Sequence, residues 1–314
     1  MAIDPELLSF LDGPRTSDMD DVAGSRARGQ ILTSEALLHR LSPPLGVSFH
    51  DGFAENLRGD RVPVRIYRRD NLPARSGALL FIHGGGFVFG DLELEHDRCL
   101  HYVTHADIVL VAVDYRLAPE HPYPAGLDDA NLTLKWMVQN AEELGIDAQR
   151  ICVSGASAGG ALAAGLVLLS RDEHGPSIAA QMLMYPVLDD RGTTLSMQTF
   201  EIYDPWDGDR SRKMWPLYLG HHGDADAYAA PARASDLSGL PVTFVMSCEE
   251  DPLRDEDLAF TQRLLDAGVS VEFHHYRGTY PAFDAFAPES TVGQRALSEQ
   301  VLFLTRAVGT VPTQ

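Results

Sequence analysis

The sequence predicts an α/β fold in which a mostly parallel central sheet is flanked by helices. Two observations support this prediction: short apolar runs rich in β-branched residues recur along the chain, and segments with helical periodicity lie between them. Strands that are apolar on both faces are typical of parallel sheets covered by helices. The apolar runs are Leu79–His83, Ile108–Asp114, Ile151–Ser154, Gln181–Tyr185, Val242–Ser247 and Val271–Tyr276.

Further elements extend this core. Two alternating segments near Val47–Asp51 and Val62–Arg68 predict an antiparallel pair of strands at one edge of the sheet. Apolar residues at three- and four-residue steps from Leu127 to Leu144 predict one amphipathic helix. The same periodicity predicts helices over Ala158–Leu169, Asp257–Ala267 and Thr291–Ala307.

Two stretches do not follow this alternation of strands and helices. Residues 1–45 carry helical signals before any strand, and residues 190–235 separate two core strands by far more than the usual connection length. We expect these two stretches to form a helical cap over one end of the sheet. The α/β core then comprises residues 46–189 and 236–314.

Composition excludes several classes of function. The 314 residues include 25 lysines and arginines against 45 aspartates and glutamates, which gives a net charge of −20. Such an acidic surface repels phosphate backbones and anionic lipid, so we expect neither nucleic-acid nor membrane binding. The three scattered cysteines, Cys99, Cys152 and Cys248, predict small core residues rather than a disulfide framework or a zinc cluster. The N-terminus shows no signal-peptide pattern, so we expect a cytoplasmic protein.

The first candidate catalytic motif is a G-x-S-x-G turn at residues 155–159. It follows the predicted strand Ile151–Ser154 directly and precedes a predicted helix. A serine at such a turn is the nucleophile of α/β hydrolases. Gly155 and Gly159 leave room for a strained backbone that exposes the Ser157 hydroxyl, and the helix N-terminus favours developing negative charge. The alternatives are a glycine-rich turn that only packs the helix on the strand, and half of a phosphate-binding loop.

The second motif is His-Gly-Gly-Gly-Phe at residues 83–87, here called the glycine loop, which follows a predicted core strand. Consecutive glycines let backbone N–H groups converge on one point, as an oxyanion hole requires. Each such donor contributes about 3 kcal/mol to the transition state. We expect the N–H groups of Gly85, Gly86 and Ala158 to form this hole. We interpret His83 as a residue that anchors the loop rather than as a catalytic base.

These two motifs occur in order with three further blocks, at residues 114–129, 228–240 and 251–256. With them the sequence resembles the hormone-sensitive-lipase-like family of microbial carboxylesterases over roughly residues 40–308. The resemblance implies an eight-stranded α/β-hydrolase core with a cap, and small esters with short-to-medium acyl groups as substrates. It also implies that no cofactor and no metal are needed, and it makes a homodimer plausible.

The resemblance assigns the acid of a Ser–acid–His triad to Asp251, which follows the predicted strand Val242–Ser247. The alternative for this residue is a helix cap or a surface carboxylate. The family's histidine lies in a loop after the last strand, and the matching stretch here reads Gly-Thr-Tyr-Pro-Ala-Phe-Asp at residues 278–284. Pro281 occupies the histidine position. A proline cannot accept a proton, so the sequence predicts a serine site without its base.

Other histidines are candidates to replace the missing base. His274 and His275 lie in the preceding strand, and His221 and His222 lie in the predicted cap. We expect these side chains to be structural or solvent-exposed. Loss of a triad member lowers turnover by about 10⁴- to 10⁶-fold and leaves roughly 10³- to 10⁴-fold catalysis over water.

Three functions remain open on these grounds. The first is an ester hydrolase that is strongly impaired at Pro281, and the second is a non-catalytic pseudo-hydrolase that binds a small ligand. The third is a different reaction in which Tyr280 or a cap histidine donates a proton. Apolar side chains predicted to line the pocket or to pack the cap are Phe87, Phe89, Leu188, Phe200, Tyr203, Trp206, Trp215 and Phe283.

Overall fold

Eight strands form a single sheet in the order β1-β2-β4-β3-β5-β6-β7-β8. The computed structural model describes residues 3–11, 17–39, 43–200, 206–221 and 223–309, with the backbone alone for residues 34–39. The strands are β1 Val47–Glu55, β2 Arg61–Arg69, β3 Ser76–Ile82, β4 Ile108–Val113, β5 Ile146–Ala156, β6 Ala180–Met184, β7 Val242–Cys248 and β8 Val271–Tyr276.

Ten α-helices accompany the sheet in the described part of the chain. Two short 3₁₀ helices, at Pro5–Phe10 and Pro231–Arg233, add to them. The α-helices are α1 Val22–His39, α2 His96–His105, α3 Ala125–Gln139, α4 Ala141–Leu144, α5 Ala158–Asp172, α6 Leu195–Thr199, α7 Gly208–Leu219, α8 Arg254–Asp266, α9 Phe283–Phe286 and α10 Thr291–Ala307.

The sheet confirms the predicted α/β fold. Strands β4, β3, β5, β6, β7 and β8 pair in parallel, and the antiparallel strands β1 and β2 form one edge. Strand β5 begins five residues before the predicted start at Ile151, because Ile146 pairs with Ser76 ahead of a register shift. The predicted helix over Leu127–Leu144 is divided at Asn140 into α3 and α4.

Helix α2 is an element that the sequence does not predict. Its buried face includes His96 and Arg98 beside Cys99 and Tyr102, so the apolar periodicity that marks a helix is broken by polar residues. Those polar side chains are hydrogen-bonded inside the protein, which offsets the cost of burying them. A pattern based on hydrophobicity alone misses such a helix.

Two hydrophobic clusters cover the two faces of the sheet. One includes side chains of α3, α5 and α8, and the other includes side chains of α2 and α10. Cys99, Cys152 and Cys248 are buried and free, as predicted. No helix among the described residues has the length and apolarity needed to span a bilayer.

Parallel pairing determines where the candidate catalytic residues lie. The glycine loop follows β3, Ser157 follows β5, Asp251 follows β7, and Pro281 lies in the loop after β8. The carboxyl ends of parallel strands meet at one edge of a sheet, which is where ligands bind in α/β folds.

Candidate active site

Ser157 lies in a sharp turn between β5 and α5. Its φ of 54° and ψ of −118° place a non-glycine residue in a strained backbone region, at a cost on the order of 1–3 kcal/mol. Two hydrogen bonds hold the turn. The Ser157 N–H donates to the carbonyl of Met184 at 2.9 Å, and the Ser157 carbonyl accepts from the N–H of Val187 at 3.1 Å.

The glycines of this turn are required by close backbone contacts. A Cβ at Gly155 would lie 2.1 Å from the carbonyl oxygen of Gly159, and a Cβ at Gly159 would lie 2.1 Å from that of Ile82. Both distances are far inside van der Waals contact with backbone atoms, so no larger side chain fits. Because Ile82 immediately precedes the glycine loop, the second contact also seats the serine turn against that loop.

The glycine loop lies directly beside the serine turn. A Cβ at Gly84 would be 3.6 Å from the Cβ of Ser157. Gly85 and Gly86 adopt φ values of 108° and 59°, which a residue with a side chain rarely adopts. Ala158 is the first residue of α5, where helical geometry leaves the N–H without an intrahelical acceptor. The three predicted oxyanion donors therefore belong to two segments that meet at Ser157.

His83 is buried within this loop. Its Nδ1 lies 2.8 Å from the carbonyl oxygen of Gly84, and its ring stacks on Tyr115 at a centroid distance of 4.3 Å. Burial lowers the pKa of His83 to about 4, so the ring is neutral near pH 7. A neutral, packed imidazole stabilises the loop and is poorly suited to act as a base.

The loop after β8 carries Pro281, which is buried and belongs to the wall of the cavity that Ser157 also lines. Two hydrogen bonds join this loop to the segment after β7. The N–H of Gly278 donates to the carboxylate of Glu249 at 2.7 Å, and the N–H of Glu250 donates to the carbonyl of Thr279 at 2.9 Å. The structure therefore holds the loop firmly although it carries no histidine.

A buried ionic cluster anchors the far side of that loop. Arg98 on α2 makes a bidentate contact with Asp284 on α9 through Nη1 and Nη2. Its Nε donates to Glu95 at 2.7 Å, and its Nη2 also donates to the Tyr185 hydroxyl at 2.9 Å. Arg98 and the hydrogen bonds it makes lower the pKa of the Asp284 carboxyl in spite of its burial. The sequence gives little signal for this cluster, because its members come from distant segments.

Asp251 is fully buried one residue beyond the Glu250–Thr279 hydrogen bond. Its Oδ1 accepts the N–H of Leu253 at 2.8 Å, whereas its Oδ2 has no hydrogen-bond partner among the described residues. Burial raises the pKa of Asp251 to about 7. The family resemblance pairs Asp251 with a histidine, and in this structure its Oδ2 accepts no hydrogen bond from the described residues.

Two more carboxyl groups on α8 are buried near Asp251. Both oxygens of Asp257 lack a hydrogen-bond partner in the described part of the chain, and burial together with the neighbouring acids raises its pKa well above the usual range. Glu256 accepts the N–H of Leu188 at 2.7 Å, and burial raises its pKa as well. Asp251 therefore lies near further buried carboxyl groups whose pKa is raised, and no imidazole of the described residues is hydrogen-bonded to it.

No described histidine lines the cavity that contains Ser157. His274 is engaged by Glu272 at 2.9 Å and by Glu299 at 3.0 Å, and the Nδ1 of His275 lies 2.8 Å from the hydroxyl of Ser247. His221 is exposed and does not line the cavity. The fourth candidate, residue 222, lies outside the described residues.

The candidate proton donor Tyr280 is also directed elsewhere. Its side chain is fully buried, and its hydroxyl donates to the carbonyl of Leu7 at 3.3 Å. Tyr280 does not contribute to the described wall of the cavity that contains Ser157. This contact ties the loop after β8 to the N-terminal 3₁₀ helix.

The cavity above Ser157 has a volume of about 680 Å³, within the usual range for small-molecule sites. Of the side chains predicted to line it, Phe89 and Trp206 do so. Five others do not line it and are buried in the protein interior instead: Phe87, Leu188, Phe200, Trp215 and Phe283. Tyr203 lies outside the described residues. The sequence prediction omits the N-terminal residues Phe10 and Leu32, which do line the cavity.

The chain belongs to the α/β-hydrolase family, whose model matches residues 79–285. Within that family it belongs to the hormone-sensitive-lipase-like group of microbial carboxylesterases, as its curated relatives and structural neighbours show.

Three comparisons illustrate this membership. Carboxylesterase NlhH of Mycobacterium tuberculosis is 37% identical over 322 residues, which cover 98% of this chain and 96% of the relative. The solved structure of a bacterial heroin esterase superimposes with a TM-score of 0.92 at 39% identity, over 98% of this chain and 99% of that protein. Esterase LipW from Mycobacterium marinum gives a TM-score of 0.91, also at 39% identity, over 97% and 96% of the two chains.

Proposed function

We propose that this chain is a carboxylic ester hydrolase scaffold whose turnover is strongly impaired because Pro281 occupies the position of the catalytic histidine. The observation that carries the proposal is that Ser157 and Pro281 line one cavity, within a loop framework that is otherwise intact. The family membership and the printed names of the relatives support an ester as the substrate.

In this proposal the Ser157 hydroxyl attacks the ester carbonyl carbon, and the N–H groups of Gly85, Gly86 and Ala158 stabilise the developing oxyanion. The hydroxyl proton must leave as the new C–O bond forms, and the alkoxide leaving group must gain a proton. A histidine performs both transfers in a triad. With proline at this position, neither transfer has a positioned group, so both acylation and deacylation become slow.

We also propose that residues 1–45 and 190–235 form a cap on the hydrolase core. Contacts between these stretches support this division. Lys213 on α7 pairs with Asp20 at 2.5 Å, and the side chains of Met19 and Trp206 both approach Gly86 in the glycine loop. The cap then covers the nucleophile and excludes bulk water from the site.

The decisive experiment is the substitution Pro281→His, assayed with p-nitrophenyl butyrate. The N–H of Gly278 and the carbonyl of Thr279 keep their partners in this variant, so the loop retains its anchors. We expect kcat/KM to rise by at least about 100-fold, since loss of a triad member costs about 10⁴- to 10⁶-fold.

The matched controls are Pro281→Ala, which removes the ring without adding a base, and Ser157→Ala in the Pro281→His background. Neither should show the gain. A folded Pro281→His protein with no gain on any ester would refute the proposal.

The second candidate is a pseudo-hydrolase that holds a small ligand without cleaving it. The observation that favours it is Pro281 itself, because the wild-type chain retains the cavity and lacks the base. A ligand that stays bound through purification and survives incubation with the Pro281→His variant would support this function.

A further inference from the structure

The outer face of α2 carries two histidines, His101 and His105, one helical turn apart. Residues four apart project from the same face of a helix, and the two rings are in contact, with 4.3 Å between their centroids. His105 is exposed and His101 is half-buried, so solvent reaches both side chains. Two histidines at this spacing on a helix can bind one metal ion between them. We call these two residues the histidine pair.

A backbone contact orients the ring of His105. Its Nδ1 lies 2.9 Å from the carbonyl oxygen of His101, and because a carbonyl only accepts hydrogen bonds, Nδ1 carries the proton. In the neutral ring the lone pair is then on Nε2, which is the arrangement found in histidines that bind metals. Burial, together with His105 and Arg98, lowers the pKa of His101 to about 4. The ring of His101 is therefore neutral near pH 7 and need not release a proton before it binds a metal.

The helix under the histidine pair is held in place by buried contacts. The Tyr102 hydroxyl donates to Oε1 of Gln300 at 2.6 Å, and the N–H of Ala106 donates to the carbonyl of Tyr102 at 2.8 Å. A metal ion therefore meets two imidazoles that are already close together, and little ordering of the backbone opposes its binding. His105 is also the last residue of α2, and the carbonyl groups at the C-terminus of a helix favour a positive charge.

The donor set indicates which cations fit. Imidazole nitrogen is a ligand for Cu²⁺, Ni²⁺ and Zn²⁺, whereas Mg²⁺ and Ca²⁺ take oxygen ligands. No group of three or more His, Cys, Asp or Glu side chains suited to a metal occurs in the described part of the chain, so water completes the coordination. Asp97, exposed one turn before His101, and the net charge of −20 add negative potential that attracts a cation.

We propose that the histidine pair binds one divalent d-block cation, with Cu²⁺ bound more tightly than Ni²⁺ or Zn²⁺. Neither histidine lines the cavity above Ser157, so this site is separate from the candidate active site and does not depend on the proposed function. The ion links two consecutive turns of α2. Because the unfolded chain does not hold the two rings together, the bound ion stabilises the folded state.

The test is titration calorimetry of the protein, without an affinity tag, with the chlorides of Cu²⁺, Ni²⁺, Zn²⁺ and Mg²⁺. We expect one site per chain, tightest for Cu²⁺, and no binding of Mg²⁺. His101→Gln and His105→Gln should each weaken Ni²⁺ binding at least tenfold, because one imidazole alone loses the intramolecular second contact. His50→Gln, which removes an exposed histidine on β1, should leave the affinity within twofold. Absence of binding, or equal effects of the pair and control variants, would overturn the inference.

Urea unfolding with and without NiCl₂ provides a second measurement. The midpoint should rise with Ni²⁺ for the wild type and for His50→Gln, and it should not rise for His105→Gln. Glutamine is a good helix former and position 105 is exposed, so this variant keeps α2, which circular dichroism checks. A rise in His105→Gln as large as in the wild type would place the metal elsewhere on the protein and refute the site.

Discussion

Asp251 is predicted to make the protein less stable as the pH rises. Its carboxyl is fully buried, its Oδ2 has no partner among the described residues, and burial raises its pKa from 3.8 to about 7. The folded state therefore binds a proton that the unfolded chain releases near pH 4. Stability is highest below that pH, falls as the pH rises from about 4 to 7, and is constant above 7 as far as this group is concerned.

The size of this effect follows from the two pKa values. The rise from 3.8 to about 7 corresponds to a cost of about 4 kcal/mol for the ionised form at pH 8. The substitution Asp251→Asn cannot ionise, and its side-chain oxygen still accepts the N–H of Leu253. We expect the variant to be more stable than the wild type at pH 8 by up to about 4 kcal/mol.

Urea unfolding between about pH 5.5 and pH 8 measures this difference at pH values above the isoelectric point of 4.8. The advantage of Asp251→Asn should grow by about 2 kcal/mol over this range, at about 1.4 kcal/mol per pH unit below pH 7. Glu289→Gln, which removes a carboxylate at an exposed position, is the matched control and should show no such growth. An advantage that is the same at both pH values would refute the reasoning.

Two further predictions test the packing of the serine turn and of the glycine loop. Gly159→Ala should lower the free energy of unfolding, measured by urea titration, by roughly 1–3 kcal/mol, because the new Cβ would lie 2.1 Å from the backbone oxygen of Ile82. The control is Gly29→Ala on α1, where nothing lies within 4 Å of the added Cβ, and it should not lower the free energy of unfolding. Trp206→Ala should reduce the kcat of the Pro281→His variant by about tenfold for every acyl length, because the indole packs on Gly86 of the predicted oxyanion hole. An unchanged kcat would show that Trp206 does not help to position Gly86.

Local patterns in the sequence determine the architecture and predict the candidate catalytic residues. The continuous apolar runs predict the parallel strands, because a strand that is covered by helices on both faces of the sheet has apolar side chains at every position. The G-x-S-x-G spacing predicts the serine turn because the backbone contacts at Gly155 and Gly159 admit no side chain. The sequence also predicts that Pro281 stands at the histidine position, because the order of the motifs aligns residues 278–284 with the histidine loop of the family.

Only the tertiary structure decides the environment in which those residues act. The cluster of Arg98, Asp284 and Tyr185 joins segments that are far apart in the chain, and buried polar residues in α2 conceal that helix from hydrophobic periodicity. The wall of the cavity differs from its prediction for the same reason: Phe87 packs inward on Tyr218, with 3.7 Å between ring centroids, while Phe10 reaches the opening.

The sequence by itself determined that this chain has an α/β-hydrolase fold, and it predicted proline at the position of the triad histidine, because strand periodicity, turn sterics and residue identity are local properties. The tertiary structure alone decided that Asp251 is buried with an oxygen that has no hydrogen-bond partner among the described residues, and that no described histidine lines the cavity above Ser157. Desolvation and convergence of distant segments are properties of packing, and no single stretch of sequence encodes them.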